Sequence, residues 1–109
     1  MQFNTLVRNL QQMVWQRPFM PHEDHQHGST ALPDGVITMN TPKGANEIMI
    51  QALTQSIRYT LDGTDPTSTS GFQLTAGNDP IVISVMGGRT TLKFYRAASG
   101  AILEHQWGL

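Results

Sequence analysis

At 109 residues the chain has room for one domain with some decoration, not two. Hydrophobic residues at 39%, charged residues at 14%, ten glycines and six prolines describe a loop-rich β protein, and they exclude a helical bundle and a disordered chain. The absence of cysteine excludes disulfides, thiolate chemistry and Cys-ligated zinc, and with a net charge of −1 the basic residues Arg58, Arg89, Lys93 and Arg96 are diluted by acidic neighbours and spacing, so no nucleic-acid partner is expected.

Taken in chain order, Phe3, Leu6, Val7, Leu10, Met13 and Val14 recur at steps of three and four and predict an amphipathic helix over residues 3–16. Asn4 can cap its start, and Pro18 stops the pattern soon after Trp15. So short a helix is marginal alone in water and needs a surface to lie against, either the chain's own β body or another subunit. The side chains expected to make that contact are Phe3, Leu6, Leu10, Met13, Trp15 and Phe19. Arg8 falls where the apolar run of a signal peptide would lie, and no stretch reaches the roughly 18 apolar residues that span a bilayer. The expectation is a protein assembled in the cytoplasm of its producing cell, with no membrane partner.

From Pro18 to Gly35 the chain reads as an irregular connection punctuated by Pro21, Gly28, Pro33 and Gly35. Within it, His22-Glu23-Asp24-His25-Gln26-His27 offers His22, His25 and His27 as weak metal-ligand candidates. A loop bounded by Pro and Gly supplies little rigid support for such ligands, so the expected metal content is none. The cluster should nevertheless gain positive charge as pH falls through roughly 6.5.

Short strands follow Gly35: Val36 to Met39, Glu47 to Gln51, and Ser56 to Leu61, where Ile57, Tyr59 and Leu61 alternate with polar residues. Phe72 to Leu74 reads as a short edge strand. Ile81 to Val85, the most apolar run, suggests a central position. Met86-Gly87-Gly88-Arg89 reads as a tight hairpin, Thr90 to Tyr95 as its return strand, and Ala101 to Trp107 as the last strand. In that last strand His105 shares a face with Leu103 and Trp107, which suits a partly buried ring better than a general base. Asp62-Gly63-Thr64-Asp65-Pro66-Thr67 lacks the EF-hand ligand pattern and any sign of a glycosidase cleft. It predicts a structured turn with Gly63 at positive φ, Asp65 bonding local amides and Pro66 fixing the exit, followed by an exposed Thr67–Gly71 loop. There is no G-x-S-x-G elbow, thiol or phosphate-cradling loop, so the expectation is no enzyme, no catalytic residue and no cofactor.

Six or seven short strands with turn signals about every ten residues predict an all-β fold: a small antiparallel Ig-like β-sandwich over residues 36–109, preceded by an arm and linker over 1–35 that contains the short amphipathic helix. The string Ile57-Arg58-Tyr59-Thr60-Leu61-Asp62-Gly63-Thr64-Asp65-Pro66-Thr67 resembles the strand and turn of the Ig-like module appended to chitobiases and related bacterial surface enzymes. The stretch from Val36 to Trp107 also resembles small structural proteins of tailed bacteriophages, through Gly71-Phe72-Gln73-Leu74-Thr75-Ala76-Gly77, Leu92-Lys93-Phe94-Tyr95-Arg96 and the ending Ala101 to Gly108. That resemblance implies a non-enzymatic minor virion protein, a capsid decoration (cement) subunit docked through its arm. It would be partnered by the major capsid protein or a neck or portal-proximal protein, and homo-oligomeric on the particle. A neck or head-fibre attachment protein and a carbohydrate-binding β-sandwich module are the alternatives. For the last of these the aromatics on offer are Tyr59, Phe72, Phe94, Tyr95 and Trp107, most at positions that read as core.

Overall fold

The computed structural model describes residues 19–22, 27–85 and 90–109. The expected helix over 3–16 and the hairpin tip at 86–89 lie outside them. Among the described residues there are eight strands: β1 (His27–Ala31), β2 (Val36–Met39), β3 (Glu47–Leu53), β4 (Ile57–Thr60), β5 (Phe72–Leu74), β6 (Ile81–Ser84), β7 (Leu92–Arg96) and β8 (Ile102–Gly108). They form two four-stranded sheets in the orders β1-β8-β3-β6 and β2-β7-β4-β5, with every ladder antiparallel. No helix occurs in this part of the chain, and the architecture is the expected β-sandwich.

Alternation along the central strands builds the interior. Ile48, Ile50 and Ala52 of β3 face inward beside Trp107, His105 and Leu103 of β8, their cross-strand partners. The other sheet answers with Ile57, Leu74, Leu92 and Phe94, and all of these except His105 belong to one buried cluster. Tyr59 and Leu61 pack against that cluster, as the alternation around Ile57 requires. Each fully buried aliphatic or aromatic side chain contributes roughly 1.5–3 kcal/mol, and with no cysteine present this burial holds the sandwich together.

Two expectations change. His27–Ala31, read from sequence as part of an irregular connection, is a strand on the edge of β8, from His27 opposite Gln106 to Ala31 opposite Ile102. Its polar composition, His-Gly-Ser-Thr-Ala, carries no apolar alternation because an edge strand can leave one face to solvent and needs only its backbone to pair. The apolar run beginning at Ile81 is not central: among the described residues β6 is the outer strand of its sheet and pairs with β3 alone. A short apolar run does not by itself separate a central strand from an edge. Here Ile83 packs against the core and Val85 is buried, whereas Val82 is 48% exposed.

Candidate functional site

Three regions gather the side chains that do more than fill the core. The first is where the arm enters the sandwich. His22 donates its amide to the Trp107 carbonyl at 3.0 Å, and Leu109 donates to the Met20 carbonyl at 2.8 Å, so residues 20–22 run along β8 as an added stretch of edge. The pairing steps from His27 opposite Gln106 to Pro21 opposite Gly108, so the arm uses more chain than β8 over this interval. Phe19 is half-buried over Gly108: a Cβ placed there would meet its ring, with Cζ at 2.8 Å. Of the expected contact residues, Phe3, Leu6, Leu10, Met13 and Trp15 lie outside the described residues.

The second region is the β1–β8 face. His27 Nε2 meets Glu104 Oε2 at 2.6 Å, and the Ser29 hydroxyl also bonds Glu104. The Ser29 bond, then the His27 bond, hold the Glu104 carboxyl below its ordinary range. Both partners therefore converge on the carboxylate; the imidazole is not placed between hydroxyl and acid, as nucleophile activation requires. A shallow pocket of about 190 Å³ opens here, bordered by His27, Met49, Gln51, Pro80, Glu104 and Gln106. On the opposite face of β8, the His105 ring lies under Gly28 and edge-on to Trp107, with centroids 6.2 Å apart. Its Nδ1 is buried with no hydrogen-bond partner, and burial first, then the nearby His27, lowers its pKa.

Of the metal candidates, His27 is engaged with Glu104. His22 packs over Gly44 with Nδ1 buried, and His25 lies outside the described residues. Among the described residues no group of three or more ligating side chains converges.

The third region is the Asp62–Phe72 turn. The Thr64 amide donates to Asp62 Oδ1 at 3.0 Å, and these bonds to Thr64 pull the Asp62 carboxyl below its ordinary range. Gly63 has a φ of +86° and Pro66 is fully buried, as a structured turn requires. Asp65 departs from expectation: its Oδ1 takes the Lys93 ammonium at 2.7 Å, because β7 runs close enough for a full charge to reach it. Thr67 and Ser70 close the following loop, through Thr67 N–H to the Ser70 carbonyl and Ser70 N–H to Thr67 Oγ1. Between this turn and β5 lies an open groove of about 460 Å³, lined by Thr60, Leu61, Asp62, Thr64, Ser70, Gly71 and Phe72. Phe72 is 62% exposed, and its ring leans on Tyr59 at 5.7 Å, which in turn leans on buried Phe94 at 6.4 Å. Sequence reasoning placed Phe72 on an edge strand but did not show which aromatics reach solvent. An aromatic on a short strand beside an exposed Ser/Thr loop was the available signal.

A family model described as Fn3 associated matches residues 48–102, from β3 to the first residue of β8. Neither the curated proteins nor the solved structures yield a match.

Proposed function

The chain belongs to the Fn3-associated family, and from that premise we propose that it is a non-enzymatic structural protein of a tailed-phage virion, a decoration subunit that docks on the capsid shell through its arm. The Ig-like sandwich is the rigid body, and residues 1–18 carry the contact stripe of Phe3, Leu6, Leu10, Met13 and Trp15. The observation that carries this reading is the anchoring of the arm's base: Phe19 to His22 are paired and packed along the end of β8. A pull on the arm is thereby borne by a strand in the middle of its sheet. Four or five buried apolar side chains at roughly 1.5–3 kcal/mol each suffice to hold a subunit after the costs of ordering it.

Mass spectrometry of density-purified particles from producing cells is expected to find the chain at constant stoichiometry to the major capsid protein. Its absence from particles, while abundant in the lysate, overturns the proposal. Deleting residues 1–18, which spares the β8 pairing, is expected to give a folded sandwich that no longer sediments with particles.

A further inference from the structure

We infer that the groove between the Asp62–Thr64 turn and β5 binds a neutral oligosaccharide, with Phe72 as the stacking platform and Asp62, Thr64 and Ser70 as partners for sugar hydroxyls. A pyranose ring has an apolar C–H face and a polar rim. A protein recognises it by offering a solvent-facing aromatic plane with hydrogen-bonding side chains beside it.

An exposed apolar residue alone needs no explanation. Phe72 differs in three respects. It is the most exposed large hydrophobic side chain among the described residues, at 62%. Tyr59 buttresses it at 5.7 Å and Phe94 buttresses Tyr59 at 6.4 Å, so a line of rings runs from the core to the surface and restrains the outermost one. It also borders a groove of about 460 Å³, within the roughly 300–1,000 Å³ of small-ligand clefts.

The wall of that groove is already set. The Thr64 carbonyl accepts from Thr60 Oγ1, and the Gly71 carbonyl accepts from Arg58 Nη1 at 2.8 Å. Ser70 is closed through its amide and carbonyl onto Thr67. With those backbone groups engaged inside the turn, side-chain oxygens are available to meet a ligand. A carboxylate has about four acceptor positions, so Asp62 retains capacity after its bonds to Thr64. Little has to be ordered on binding, which is what allows a shallow site to hold a ligand at all.

Charge selects the class of sugar. Among the described residues Asp62 is the carboxylate that lines the groove, whereas Lys93 pairs with Asp65 at 2.7 Å and the Arg58 guanidinium is turned onto the Gly71 carbonyl. A uronate would meet that carboxylate directly, whereas a neutral hexose or N-acetylhexosamine meets only an acceptor. The groove is built from β4, β5 and the turn joining them, not from the arm or β8, so the inference does not depend on the virion proposal.

The test is a titration of the ¹⁵N-labelled full chain with cellotetraose, chitotetraose, maltotetraose and tetragalacturonate, followed by amide shifts. At least one neutral tetrasaccharide is expected to give saturable shifts at Asp62, Thr64, Ser70, Gly71 and Phe72, with a dissociation constant near ~1 mM. Phe72→Ala should weaken that binding by about tenfold while leaving the rest of the spectrum unchanged, and Phe72→Trp should preserve it. No shifts with any neutral sugar well above ~1 mM, shifts only elsewhere on the sandwich, or tetragalacturonate binding as tightly as the neutral sugars would each overturn the inference.

Discussion

Thr54 carries a φ of +72° in the bend that takes the chain from β3 into β4. A β-branched side chain disfavours that backbone region, whereas asparagine tolerates it. Thr54→Asn is expected to raise stability by about 0.5–1 kcal/mol, read as a higher denaturant midpoint at unchanged slope. His105 is a second site of local tension, because burial favours its neutral ring and lowers its pKa. The sign follows directly. The unfolded chain binds the proton first, so the stabilisation is complete above roughly pH 6.5 and is lost as pH falls towards and through the lowered value. His105→Leu is therefore expected to flatten the decline in midpoint between pH 7 and 5.5 and to remove the orphaned Nδ1; an unaltered decline would place its origin elsewhere. At this scale the sequence was informative about His105, whose neighbours Leu103 and Trp107 gave away its inward face. It was silent on Asp65, because the approach of Lys93 is created by the fold and not by spacing along the chain.

Edges decide most of what the strands do beyond building the core. The pairing of residues 20–22 with β8 depends on a glycine at 108, since a Cβ there would come within 2.8 Å of Phe19 Cζ. Gly108→Ala is expected to speed hydrogen exchange at the His22 and Leu109 amides while β3 amides keep their protection, because the added methyl lifts the edge segment and leaves the interior pairing intact. If exchange at both amides stays unchanged, Phe19 does not hold this segment. Central strands were legible in sequence: β3 and β4 alternate, and their inward residues are those found buried or packed on the core. Edge strands were less so. β1 hides in a polar stretch and β6 imitates a central strand, because pairing on one side only constrains hydrogen bonds more than side-chain type.

For the whole molecule, the sandwich followed from turn spacing and alternation, but the sheet orders did not. Nothing local to Glu47–Leu53 announces that it pairs with Ile102–Gly108, nor that Ile57–Thr60 pairs with Leu92–Arg96. Such pairings follow from packing two layers together, a property of the complete chain. They also make the fold rich in distant contacts, so refolding is expected to take milliseconds to seconds, followed by Trp107 fluorescence in a Trp15→Phe background. Microsecond refolding would mean that local structure carries more of the transition state than this topology allows.

The placement of β8 between β1 and β3 has a consequence for how the protein is made. Its seven residues leave the ribosome after everything they join. Until they arrive, β1 lacks its partner β8 and β3 presents one bare flank, together with Ile48 and Ile50 that the finished interior would cover. The nascent chain is thus adhesive while β8 is still to emerge, and products that stop short of β8 are the ones that should clump.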